Sequence, residues 1–124
     1  MQPSYGPDLL AGDWCDNARL VPRDYAIWFD ANGMAAFNTN PEVENTDDIA
    51  NGVCLRADVH RLLDDRWLAF YPLGNDFIAH FLEVTPPYDE LYHRVSITVH
   101  PRVSIQFLYA RFAINIISRV VHNR

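Results

Sequence analysis

The spacing of apolar positions changes several times along this chain, and each change marks an element. The stretch GVCLR, 52–56, alternates as a half-buried strand does, and the following ADVHRLLDD switches to helical spacing. WLAFYPLG and NDFIAHFLEV read as two strands joined across Gly74-Asn75. Upstream, ARLV predicts a short strand ending at Pro22. RDYAIWFDANG predicts a helix carrying apolar Ala26, Ile27 and Phe29 and stopped by Asn32-Gly33. NTNPEVENTDD has no apolar period; Glu42, Glu44, Asp47 and Asp48 lack an interleaved His and read as a surface loop, not a ligand cluster. After Pro86-Pro87, YDELYHRVSITVHP predicts a short helical turn and an extended segment.

Pro101 is expected to open the last element, because VSIQFLYARFAINIISRVV runs on without a breaker. Gln106, Arg111, Asn115 and Arg119 form a narrow polar stripe on an otherwise apolar helix. Such a helix must be covered on most sides. It is either a long core helix of a monomer, or a helix covered by the hairpin on one face and by a second subunit or an apolar ligand on another.

Composition narrows the class. The chain has 124 residues, 49% of them hydrophobic and 13% aromatic, enough for one globular domain, 14–124, behind a Pro- and Gly-rich irregular arm, 1–13. No stretch approaches the roughly 20 apolar residues of a membrane helix, and the start does not resemble a leader, so a cytoplasmic location is the default expectation. Cys15 and Cys54 are too few for a zinc knuckle or a disulfide framework and are expected to be buried thiols. With 16 acidic against 10 basic residues and a net charge of −6, the chain is a poor nucleic-acid binder by overall charge. Arg19, Arg23, Arg56, Arg61 and Arg66 leave a local phosphate-binding patch open, against the alternative that they pair with neighbouring acids.

Three ordered stretches carry the chemistry: ARLVPR at 18–23, WFDANGM at 28–34 and NGVCLRADVHRLLD at 51–64. Together with WLAFYPLGNDFIAHFLE and VHPRVSIQFLYARFA, they resemble the fungal branch of the HNH endonuclease family, whose members carry AHLVPR, WF with NGM, and NGICLRxDxHxxFD. The likeness runs over about residues 14 to 115. It implies an α+β fold, a small ββα core with an added β-hairpin and a long C-terminal helix. In that family the first motif's histidine takes a proton from water, the asparagine orients it, and the last histidine helps hold a divalent metal. Carried over, Asn51 matches the asparagine and His60 the metal-side histidine, but Arg19 stands in the place of the base. A guanidinium stays protonated and cannot accept that proton. Ala18 offers no ligand, and Arg56 puts a cation where some relatives place one. Asp58 and Asp64 could add oxygens, although Asp58 reads equally as a first-turn helix acid. One histidine is too few to retain a metal, so no metal and no cofactor are expected.

The resulting expectation is a repurposed HNH-like protein with Arg19, Asn51 and His60 as its catalytic residues. Its aromatics are numerous for a small core: Trp14, Phe37, Phe77, Phe81 and Tyr92 accompany Tyr25, Trp28, Phe29, Trp67, Phe70 and Tyr71, and the last six are assigned to substrate binding. Each of them singly also reads as core. The expected partner is a small apolar metabolite, with no nucleic acid, no membrane, and a homodimer through the C-terminal helix as a further option. The expected reaction is a cofactor-independent cyclisation, isomerisation or pericyclic closure such as a Diels-Alder reaction, favoured by holding the substrate in a near-attack shape and polarising a carbonyl. His60 reads equally as a structural helix residue, and His80, His93, His100 and His122 have no metal-like pairing. Two other classes stay open: a metal-dependent HNH endonuclease with a different base, and a non-catalytic pseudo-nuclease binding module.

Overall fold

In the computed structural model, residues 15–40, 42, 45–74, 76–97 and 99–122 are described. The expected arm 1–13, Trp14, Glu44, Asn75 and the side chains of Cys15, Arg119 and His122 lie outside the described residues.

The alternation at 52–56 becomes strand β2 (Gly52–Arg56), antiparallel to β1 (Cys15–Arg19), with Asp16 opposite Leu55 and Arg19 opposite Gly52. Period two puts Val53 and Leu55 into the core. Helix α2 (Ala57–Asp64) follows at once and buries Val59, Leu62 and Leu63. Helix α1 (Ala26–Ala31) sits between the two strands in sequence, buries Phe29, and ends at Gly33, whose φ of 64° is the left-handed stop predicted from Asn32-Gly33. These elements form the ββα unit.

The second half is a sheet of β3 (Leu68–Leu73), β4 (Asp76–Phe81) and β5 (Ser96–Ile97), in the order β3-β4-β5. The short helix α3 (Tyr88–Tyr92) connects β4 to β5. The extended segment predicted after it is therefore the third strand. The C-terminal helix α4 (Ile105–His122) starts later than Pro101. Residues 100–103 turn on themselves, with Val103 N–H donating to His100 O, and Ser104 then accepts the first helical bonds from Phe107 and Leu108. The Ser104 hydroxyl donates to Phe37 O and its N–H to Ala50 O, which ties this helix start to the ββα unit.

α4 lies along the free edge of β3. Its Asn115 amide donates to Leu68 O on that edge at 2.8 Å and to Leu63 O at the end of α2 at 3.0 Å. Leu68 O faces the free edge of the sheet and has no strand partner there, so a buried donor is what the position requires. Arg111 is likewise buried, and it donates to Asp64. The polar stripe thus partly points inward, while Ile105, Tyr109 and Ile117 are exposed. Phe107 is fully buried with its ring centre 5.6 Å from that of Phe29, and Phe112 meets Tyr71 edge-on at 5.7 Å. Full burial of the Phe29 and Phe107 rings contributes on the order of 1.5–3 kcal/mol each. α4 is the element that fastens the two halves together.

The end of α2 is a Schellman turn: Arg66 N–H donates to Leu63 O and Trp67 N–H to Leu62 O. Arg66 has φ 63°, where glycine is the usual residue. Cys54 is disulfide-bonded, where a buried thiol was expected. Such bonds persist in oxidising compartments, which the default cytoplasmic expectation did not anticipate. Among the described residues no helix is long and apolar enough to cross a membrane.

Candidate functional site around His60

The motif asparagine holds the backbone. Asn51 is fully buried; its Oδ1 accepts from Val21 N–H at 2.8 Å, and its Nδ2 donates to Val21 O and to Thr46 O, each at 2.9 Å. Its own carbonyl accepts from Leu20 N–H. The side chain acts as an extra peptide that carries the β1–β2 pairing round the corner at Leu20-Val21. Asp48 supports the same corner by accepting from the N–H groups of Thr39, Asn40 and Ala50. Burial raises the pKa of its carboxyl, but these three donors outweigh that and leave it below the usual value.

Arg19 hydrogen-bonds to Asp47 at 2.6 Å, and Arg23 lies 3.6 Å from the same carboxylate. The hydrogen bond from Arg19 is the main cause of a lowered Asp47 pKa. Strand alternation puts Arg19 on the opposite face of β1 from Asp16. Arg56 pairs with Asp58 at 3.0 Å and hydrogen-bonds to the Tyr92 hydroxyl, while Arg61 lies 3.7 Å from Asp65. The local basic patch is therefore largely neutralised by neighbouring acids.

His60, on the exposed flank of α2, is clasped from both sides. Its Nδ1 lies 3.1 Å from Asp16 Oδ2 and its Nε2 3.0 Å from Asp64 Oδ2. The other Asp64 oxygen accepts from Arg111, which is 2% exposed. Burial is the main cause lowering the Arg111 pKa; Asp64 opposes it, and the charges of Arg66 and Tyr25 also reach it. One line of groups thus runs from β1 through α2 into α4.

A divalent ion implied by an HNH fold would take a nitrogen of His60 and converging oxygens. The residues present do not fit it. Each ring nitrogen already faces a carboxylate, on opposite edges of the ring, so the two acids cannot meet on one ion beside a free lone pair. Asp58 is turned to its own helix start, accepting from Val59 N–H, and to Arg56. No group of three or more His, Cys, Asp or Glu side chains that could hold a metal occurs among the described residues.

Arg19, Asn51 and His60 have separate partners and share no hydrogen bond. Among the six aromatics assigned to substrate binding, Phe29 and Phe70 are core residues at 0% and 1% exposure, because their strand and helix faces point inward. Tyr25 packs against the core, Trp28 and Trp67 are partly exposed, and Tyr71 lines a cavity described below. Sequence reasoning missed Asp16 and Arg111 as partners of the His60 line. Arg111 was visible only as one member of the polar stripe with Gln106, Asn115 and Arg119; nothing singled out Asp16.

A hairpin-like strand pair locked by a buried asparagine and followed directly by a histidine-bearing helix defines the ββα class of domain. The sequence model for HNH endonuclease matches residues 4–71, more than half of the chain, and the chain belongs to the HNH family. No curated protein and no solved structure matches it.

Proposed function

We propose that this HNH-family chain does not hydrolyse phosphodiesters but binds a small, largely apolar molecule and acts on it as a cofactor-independent biosynthetic catalyst of the cyclase, isomerase or pericyclase kind. The observation that carries this reading is the two-sided clasp of His60. A carboxylate on each ring nitrogen leaves no place for a metal but builds an array through which a proton can be taken up on one edge and released on the other. An isomerisation or a proton-initiated ring closure returns the proton it takes, and needs neither oxidant, reductant nor metal. His60 is the proton-handling residue; Asp16, Asp64 and Asn51 are positioning residues. Tyr25, Trp28 and Trp67 supply aromatic surface. Arg19, turned away toward Asp47, has no part in this array.

Two measurements test the reading. Purified protein with Mg²⁺, Mn²⁺, Ni²⁺ or Zn²⁺ should leave plasmid DNA intact; cation-dependent nicking lost in His60→Ala would restore the nuclease assignment. Deleting the gene should make an uncyclised intermediate accumulate, with wild type but not His60→Ala reversing it. An unchanged metabolite profile, with a stable protein partner on pull-down, would favour a non-catalytic binding module instead.

A further inference from the structure

The face of the β3-β4-β5 sheet turned away from the core carries a cavity of about 560 Å³. That volume lies within the range of small-molecule sites, roughly 300–1,000 Å³. Cross-strand register places Tyr71 opposite Ile78 and Leu73 opposite Asp76, so Tyr71, Leu73 and Ile78 share this face. Phe112 and Ile116 of α4 wall it beyond the β3 edge. At the other side of the sheet stands Arg94, with His80 between. The order α4, β3, β4, Arg94 makes the cavity apolar at one end and cationic at the other.

Arg94 is held there by an unusual backbone. Arg94 N–H donates to Ala79 O at 2.7 Å and Ala79 N–H to Val95 O at 2.9 Å, so two residues oppose one, as in a β-bulge. Arg94 has φ 69°, the left-handed position that such bulges usually give to glycine. A side chain kept at that cost is aimed by the bulge, and its guanidinium has no ion pair among the described residues. Burial, then the charges of His93 and Arg94, lower the pKa of His80, and among the described lining residues Arg94 carries the fixed positive charge.

We infer that this cavity binds an apolar carboxylic acid, its hydrocarbon laid over Tyr71, Leu73, Ile78, Phe112 and Ile116 and its carboxylate on Arg94. The inference rests on the reading that the chain handles a small apolar molecule, and names the class that this face would take. Charge complementarity selects this occupant: an apolar wall that ends in an unpaired cation matches a hydrocarbon that ends in a carboxylate.

Calorimetry with dodecanoate and with dodecanol, both below their aggregation limits, separates the possibilities. Dodecanoate should bind at least about tenfold more tightly than the alcohol, as a charge-assisted contact allows. Arg94→Gly removes the charge while relieving the backbone, so it should fold at least as well and equalise the two ligands. Ile116→Trp should weaken both. Equal binding of acid and alcohol by wild type overturns the carboxylate inference but leaves the apolar-ligand reading standing. Failure of both ligands to bind overturns the inference for this cavity and leaves the His60 reading to its own tests. A dimer by light scattering that dodecanoate does not dissociate would assign the face to a second copy.

Discussion

The ββα half and the sheet–α4 half both bury polar side chains, but those groups serve different backbones. In the first half, Asn51 and Asp48 bond to peptide groups of the motif itself and preserve its shape. In the second, Arg111 and Asn115 reach back to Asp64 and Leu63 of α2, and Asn115 also holds Leu68 of β3. An HNH scaffold is thus kept by its own asparagine, while α4 supplies the buried cation that pairs with a carboxylate of its helix. Shape and chemistry of the motif are controlled by different parts of the chain, so one can change while the other stays.

The strongest test of that division is Asn51→Ala. It leaves Val21 N–H, Val21 O and Thr46 O without partners in a dry corner, and should destabilise the protein by about 3–4 kcal/mol in a urea titration. A loss below about 1 kcal/mol would mean the corner holds without its clamp. Asp64→Ala should cost somewhat less, about 2–3 kcal/mol, because it strands the buried Arg111 although Asp64 itself is half exposed. The double variant Asp64→Ala/Arg111→Met should recover most of that loss. If it does not, α4 is not held through this pair.

These side chains also mark what could be read in the sequence. β2, β3, β4, α2 and the Asn32-Gly33 stop were legible because local period and turn chemistry decide them, whereas β1, Cys15–Arg19, lies earlier than the expected ARLV. Also legible was the neutralisation of Arg56 and Arg61, whose acids lie close by in sequence, whereas Arg19 and Arg23 meet Asp47 only through the fold. The inward turn of Arg111 and Asn115 was not legible: it is fixed by the Asp64 carboxylate and by backbone carbonyls of other elements, and residue type alone suggests a solvent stripe. Asp16 was silent for the same reason, as its only distinguishing feature is a partner 44 positions away. The disulfide at Cys54 was missed because two isolated cysteines carry no pattern.

Acid should expose the self-contained character of the first half. Asp48 has a pKa below the ordinary carboxylate value of 3.8 in the folded chain. A depressed carboxylate contributes stability that is fully present above its unfolded value and lost as pH falls through the folded one. Wild type should therefore be more stable than Asp48→Asn at pH 6, by about 1–2 kcal/mol. The difference should shrink as pH drops below about 4. A difference that stays constant down to pH 2 would show that shape, not ionisation, makes Asp48 useful.

The smallest effect distinguishes the two left-handed arginines, one in each half. Arg66 sits at the glycine position of the turn that ends α2, and its charge opposes that of Arg111. Arg66→Gly removes a Cβ clash and a like charge together, and should stabilise the protein by about 0.5–1 kcal/mol, since the φ of 63° is already glycine's. Its ligand binding should be unchanged. Arg94→Gly relieves the same kind of strain, so it too should raise the melting temperature, yet it alone should erase the preference for dodecanoate. Two substitutions with the same backbone physics and opposite functional outcomes would show that the strain at Arg66 serves the turn, whereas the strain at Arg94 serves a ligand.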